Sequence, residues 1–191
     1  MSHFAVMVIL PEGTTAESAE EAAAKLMVPY METDELFADG SRWDWYMVGG
    51  RWDGEIKGLP WREFTETCRL CEGTGIRPGG LEEFGPEWVE STKGCNGCSG
   101  TGQQTIWPTD DRYSSLDRNL VQVIDIPHEY IPQAFVTPDG EWHEKGRMGW
   151  WGAQIEDEEG RADKTAPFDQ ELAAAREAYA NHLALSVDCH I

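Results

Sequence analysis

Phe4-Ala5-Val6-Met7-Val8-Ile9-Leu10 is an unbroken apolar run of seven residues, closed by Pro11-Glu12-Gly13. Its length and β-branched content read as a strand, and the lack of alternation reads as burial on both faces. Such a strand lies inside a sheet and needs cover, and the next residues are suited to supply it. Thr14 and Glu17 have the spacing of a capping box. Ala19, Ala22, Ala23, Leu26 and Tyr30 then recur at helical intervals, and Pro29 stops the pattern.

Working outward, Trp43-Asp44-Trp45-Tyr46-Met47-Val48 reads as a second strand broken at Gly49-Gly50, with residues 52–56 continuing it. Residues 120–126 form another, stopped by Pro127. Residues 134–137 and 141–143 flank Pro138-Asp139-Gly140 as a hairpin. Residues 148–155 are aromatic and extended, and 156–164 are a charged loop. Asp169 can cap a last helix whose Leu172, Arg176, Tyr179 and Leu183 share a face. The final residues alternate, with Leu185, Val187, Cys189 and Ile191 opposite Ser186, Asp188 and His190. The economical arrangement is an α+β domain: a mixed or antiparallel sheet with helices on one face, for which a ferredoxin-like order is one option.

Two copies of one phrase interrupt this domain. Cys68-Arg69-Leu70-Cys71-Glu72-Gly73-Thr74-Gly75 and Cys95-Asn96-Gly97-Cys98-Ser99-Gly100-Thr101-Gly102 both read C-x-x-C-x-G-x-G. Two such pairs make a tetrahedral four-thiolate site for Zn2+, and the glycines let the backbone turn beneath the metal. Disulfides would suit a secreted protein, which nothing in the sequence suggests, and a redox pair would not need a second phrase with matching glycines. The expected organisation is one α+β domain from residues 1–61 and 107–191, with 62–106 inserted as a zinc-ribbon-like, four-cysteine zinc finger module. Its irregular loop spans 72–94, and the metal supplies its folding energy.

The 191 residues carry 15 Lys plus Arg against 35 Asp plus Glu, a formal charge of −20, and nine tryptophans. That balance disfavours broad contact with a phosphate backbone and suits solubility or a basic protein partner. Within 68–102, Arg69, Arg77 and Lys93 are outnumbered by Glu72, Glu82, Glu83, Glu87 and Glu90. Residues 4–10 are too short to span a membrane and lack the basic start of a signal peptide, so a cytoplasmic protein with reduced cysteines is expected.

The cysteine phrases resemble the cysteine-rich zinc region of DnaJ-type co-chaperones, which has four such repeats and two zincs. Two repeats imply one zinc on Cys68, Cys71, Cys95 and Cys98, and without a His-Pro-Asp tripeptide no chaperone role is implied. The remainder resembles a family of bacteriophage and bacterial proteins to which no activity is attached. Three phrases carry that likeness: Trp43-Asp44-Trp45-Tyr46 with Gly49-Gly50-Arg51-Trp52; Gly140-Glu141-Trp142-His143-Glu144-Lys145-Gly146 with Met148-Gly149-Trp150-Trp151; and Val187-Asp188-Cys189-His190-Ile191. The resemblance implies a phage or prophage setting, hence a host cytoplasm.

These phrases hold Asp44, Arg51, His143, Glu144, Asp188 and His190. His143, Arg51, Asp188 and His190 are the candidates for a catalytic pocket, with a histidine as general base and Arg51 holding an anion. Alternatively, His143, His190 and Asp188 could ligate a second metal. Cys189 reads as a buried structural thiol. Phosphate-loop, dinucleotide and nucleophile-elbow motifs are absent. The leading expectation is therefore a zinc-stabilised, acidic, phage-type protein that binds a basic host protein. The alternatives are an enzyme acting on a nucleotide or phosphoester through a Trp-lined pocket, and a nucleic-acid-binding zinc protein.

Overall fold

The computed structural model describes residues 2–33, 41–77, 94–148, 154–155 and 165–191. Most of the expected loop between the cysteine pairs, the charged segment 156–164 and part of the expected extended stretch 148–155 lie outside the described residues. The elements run β1 (His3–Ile9), α1 (Ala19–Met27), β2 (Trp45–Val48), β3 (Thr65–Thr67), β4 (Gln103–Thr105), α2 (Leu116–Asn119), β5 (Leu120–Gln122), β6 (Ala134–Val136), β7 (Trp142–Glu144), β8 (Arg147–Met148), β9 (Gln154–Ile155), α3 (Thr165–Ala178) and β10 (Leu183–His190). They fall into two compact units, Met1–Trp61 with Asp111–Ile191, and Arg62–Asp110.

In the first unit, six strands form one mixed sheet in the order β2-β10-β1-β6-β7, with β5 also on β10. The apolar run that opens the chain becomes β1 near its centre. It pairs antiparallel with β10 from His3↔His190 to Ile9↔Ala184, and parallel with β6 from Val6↔Ala134 to Val8↔Val136. The α+β class is therefore realised with a mixed sheet. The parallel β1–β6 pair departs from the all-antiparallel ferredoxin-like order.

The helices divide between the two faces rather than sharing one. Phe4, Val6, Val8 and Leu10 pack with Ala19, Ala23 and Met27 of α1. Met7 and Ile9 point the other way and pack with Phe168, Leu172 and Ala175 of α3. The reason lies in β1 itself, since a strand apolar on both sides demands cover on both sides. Each fully buried side chain of this kind contributes about 1.5–3 kcal/mol.

Local chemistry moved several boundaries. The Thr15 N–H donates to Ser18 Oγ at 3.0 Å, so the start of the first helical segment falls one residue later than Thr14. Asp169 sits inside α3 rather than capping it. Residues 50–52 and 55–57 are single 3-10 turns instead of strand. Their seat is a buried carboxylate: Asp53 accepts from Arg118 Nε at 2.8 Å and Asn119 Nδ2 at 2.9 Å, and Asn119 Oδ1 accepts the Gly54 N–H at 2.9 Å. The strand at 120–126 stops after Gln122, where a 3-10 turn over Val123–Asp125 leads to Pro127.

Candidate functional site

In the second unit, the cysteine phrases stand at the end of the β3–β4 hairpin, where the Cys68 N–H reaches the Gly102 carbonyl at 2.9 Å. The Sγ atoms of Cys68, Cys71, Cys95 and Cys98 all lie within 4.8 Å of one another, and all four residues are buried. Cys68 and Cys95 are 3.7 Å apart at sulfur, as are Cys71 and Cys98. A tetrahedron of thiolates with metal–sulfur bonds of about 2.3 Å has edges of about 3.8 Å, so the donor set fits one metal ion.

The repeated sequence folds twice in the same way. Glu72 and Ser99 both take positive φ, at 49° and 50°. Thr74 Oγ1 donates to the Cys71 carbonyl at 2.6 Å, and Thr101 Oγ1 donates to that of Cys98 at 2.7 Å. These turns aim backbone N–H groups at sulfur, and the Gly102 N–H lies 3.2 Å from Cys98 Sγ. Burial acts to raise the Cys98 thiol, but the Gly102 and Gly100 N–H groups and the Cys71 and Cys68 thiols bring it down to about 7. Burial pushes its neighbour Cys68 up to about 11.

The polar residues singled out from the Trp-rich phrases do not form one group. Asp188, fully buried on β10, lies 2.9 Å from His3 Nδ1 through Oδ1 and accepts the Arg51 backbone N–H at 3.0 Å through Oδ2. Burial raises its carboxyl, and these two contacts oppose the rise. Arg51 contributes its backbone here, and its residue is exposed. His190, also buried, meets Asp44 Oδ1 at 2.6 Å and stacks on Trp45 at 5.2 Å between ring centroids. Its ring centroid is 5.0 Å from that of His3.

His143 stands elsewhere. It pairs across β7 and β6 with Phe135, stacks on that ring at 4.5 Å and meets Glu171 Oε2 at 2.8 Å. Phe135 is in register with Met7, four residues from His3 along β1, or about 13 Å. Glu144 pairs with Arg42 Nε at 3.3 Å. A pocket joining His143 to His190, Asp188 and Arg51 is thus not what the sheet builds, because strand order separates them. Among the described residues, no group of three or more His, Cys, Asp or Glu side chains other than the cysteines is close enough to hold a metal, so His143, His190 and Asp188 do not form the second site. Cys189 is buried with its thiol well above the usual range through burial, as a core thiol should be.

Residue-level reading of the sequence missed His3. The signal was its place at the start of the first strand, but only the β1–β10 pairing sets it opposite His190. Comparison with protein-family models, with curated proteins and with solved structures gave no match. Among the described residues, no helix is long and apolar enough to cross a membrane.

Proposed function

We propose that this chain is a zinc-stapled interaction protein of phage type, which engages a host protein bearing a basic surface. The observation that carries the reading is the convergence of four buried thiols within 4.8 Å, in a segment where they form the buried cluster. Soft thiolates in a tetrahedral set select zinc among the available divalent ions. Cys68, Cys71, Cys95 and Cys98 would hold the ion, and its role there is to fix the fold of residues 62–110.

The unit that the staple holds in shape exposes apolar side chains. Leu70, Ile76 and Trp107 are 44%, 66% and 76% exposed. Leu70 sits between the first two cysteines, so the metal that orders the turn also presents it. Exposed aromatic and aliphatic anchors are the usual energetic centre of a protein contact. The formal charge of −20 supports a basic partner and speaks against nucleic acid. The Trp-rich phrases support the phage setting.

The test is capture of partners on the immobilised chain across a salt series, with Trp107→Ser and Leu70→Ser as controls. The expected partner is a basic protein that is released as salt rises past about 0.3 M and is weakened by either substitution. A partner held independently of salt, or tight binding of single- or double-stranded nucleic acid at low salt, would overturn the reading.

A further inference from the structure

A cleft of about 330 Å³ opens beside the His3–Asp188 pair, lined among others by His3, Trp52, Glu55, Glu129, Tyr130 and Lys145. Its volume is that of a small-molecule site. Its lining holds both donors and acceptors, and the Gln133 amide nitrogen and the Tyr130 hydroxyl are engaged, on the Gly146 carbonyl at 3.0 Å and with Ser186 Oγ at 3.1 Å. Asp188 lies 2.9 Å from Nδ1 of His3, and with Asp188 as the carboxylate Nδ1 of the neutral ring donates to it and Nε2 is left as an acceptor. Trp45 and His190 pack edge-on against the His3 ring at 5.4 and 5.0 Å and fix its plane. Glu55 and Glu129 add two carboxylates, neither with a hydrogen bond or ion pair among the described residues. Burial raises the Glu55 carboxyl. The Lys145 ammonium is engaged over the Phe168 ring, 5.6 Å from its centroid.

We propose that this cleft binds a small organic cation, an amine or guanidinium on a short apolar body. Its N–H groups would face His3 Nε2 and the carboxylates of Glu55 and Glu129, and its body would lie against Trp52. The match is one of chemistry: three acceptors and an aromatic wall suit a donor-rich cation. Asp188 acts through His3 by holding its tautomer.

The probe is agmatine, titrated into the full chain while the His3 ring nitrogens are followed by NMR, with inorganic phosphate as the anionic counterpart. Saturable shifts with agmatine at a Kd of about 1 mM or tighter, and none with phosphate, are expected. Glu129→Gln, at an exposed position, should weaken binding about fivefold or more. Asp188→Asn should weaken it further while the ring signals report a switched tautomer, because an amide keeps the Arg51 contact and donates to His3 Nδ1. An arginine tripeptide with blocked ends separates two sources of the same cation: tighter binding than agmatine points to a partner's side chain, and equal or weaker binding to a free small molecule. No saturable shift with agmatine, a response to phosphate instead, or an unchanged Kd in Glu129→Gln would overturn the proposal. None of these results depends on the zinc module or its partner.

Discussion

The Gly75 carbonyl accepts the Cys95 N–H at 2.6 Å, and the Gly102 carbonyl accepts the Cys68 N–H at 2.9 Å, so each repeat ends by capping the first cysteine of the other. The two glycines have φ of 73° and 77°, and a Cβ on either would stand 2.3 Å from a carbonyl oxygen of the opposite repeat. Gly102→Ala should therefore cost at least about 1–3 kcal/mol in strain and lower metal affinity. Competition with a chromogenic zinc chelator checks it, and the same loss is expected for Gly75→Ala.

Cys98→Ser removes one donor and leaves a three-thiolate set. Structural zinc contributes on the order of 10 kcal/mol to modules of this kind, so residues 62–110 should unfold. The sheet is built from strands outside that unit and keeps its own core. Limited proteolysis should cut within 62–110 and spare the rest, with the main thermal transition retained. Chelation of the native chain should give the same pattern.

Gly50 lies under Asp188 with φ of 56°, and a Cβ there would meet the Asp188 carboxylate at 2.5 Å. The glycine lets the backbone come close enough for the Arg51 N–H to reach that carboxylate. Gly50→Ala should push the strand end apart and break the Arg51 contact, for a loss of about 2–4 kcal/mol. Urea unfolding measures it, and the His3 ring signals should shift with it.

The raised Asp188 carboxyl gives a signed pH dependence. The folded chain holds this proton more tightly than the unfolded chain, whose carboxyl titrates near about 3.9. The favourable contribution is thus complete below about pH 3.9 and is lost as pH rises through the raised folded value. Stability of the native chain relative to Asp188→Asn should fall over that window. Thermal midpoints of both proteins at successive pH values test the slope.

Much of this was legible in the residues, and the reasons differ by element. The run at residues 4–10 declared a doubly buried strand because it has no polar side, and the hairpin about Pro138-Asp139-Gly140 was written in turn chemistry. The grouping of the four cysteines could be read from spacing alone, since the phrase carries its own fold. The placing of α1 and α3 on opposite faces could not be read, because periodicity tells which side of a helix is apolar and not which sheet face receives it. The same limit applied to His143 and His190. Each is a polar group on a strand, but only strand order sets one beside Phe135 and the other beside His3. Ser186, Asp188 and His190 alternate as a solvated edge would, yet β10 is internal and all three are buried. The partners of the first two, Tyr130 for Ser186 and His3 for Asp188, are distant in the chain.

The most direct test of the account is the metal content of the purified chain, measured by inductively coupled plasma mass spectrometry against protein concentration. One zinc per chain, lost in Cys98→Ser and retained in Cys189→Ser, is the expected result. Chain that is folded through residues 62–110 yet free of metal, or zinc retained in full by Cys98→Ser, would contradict it.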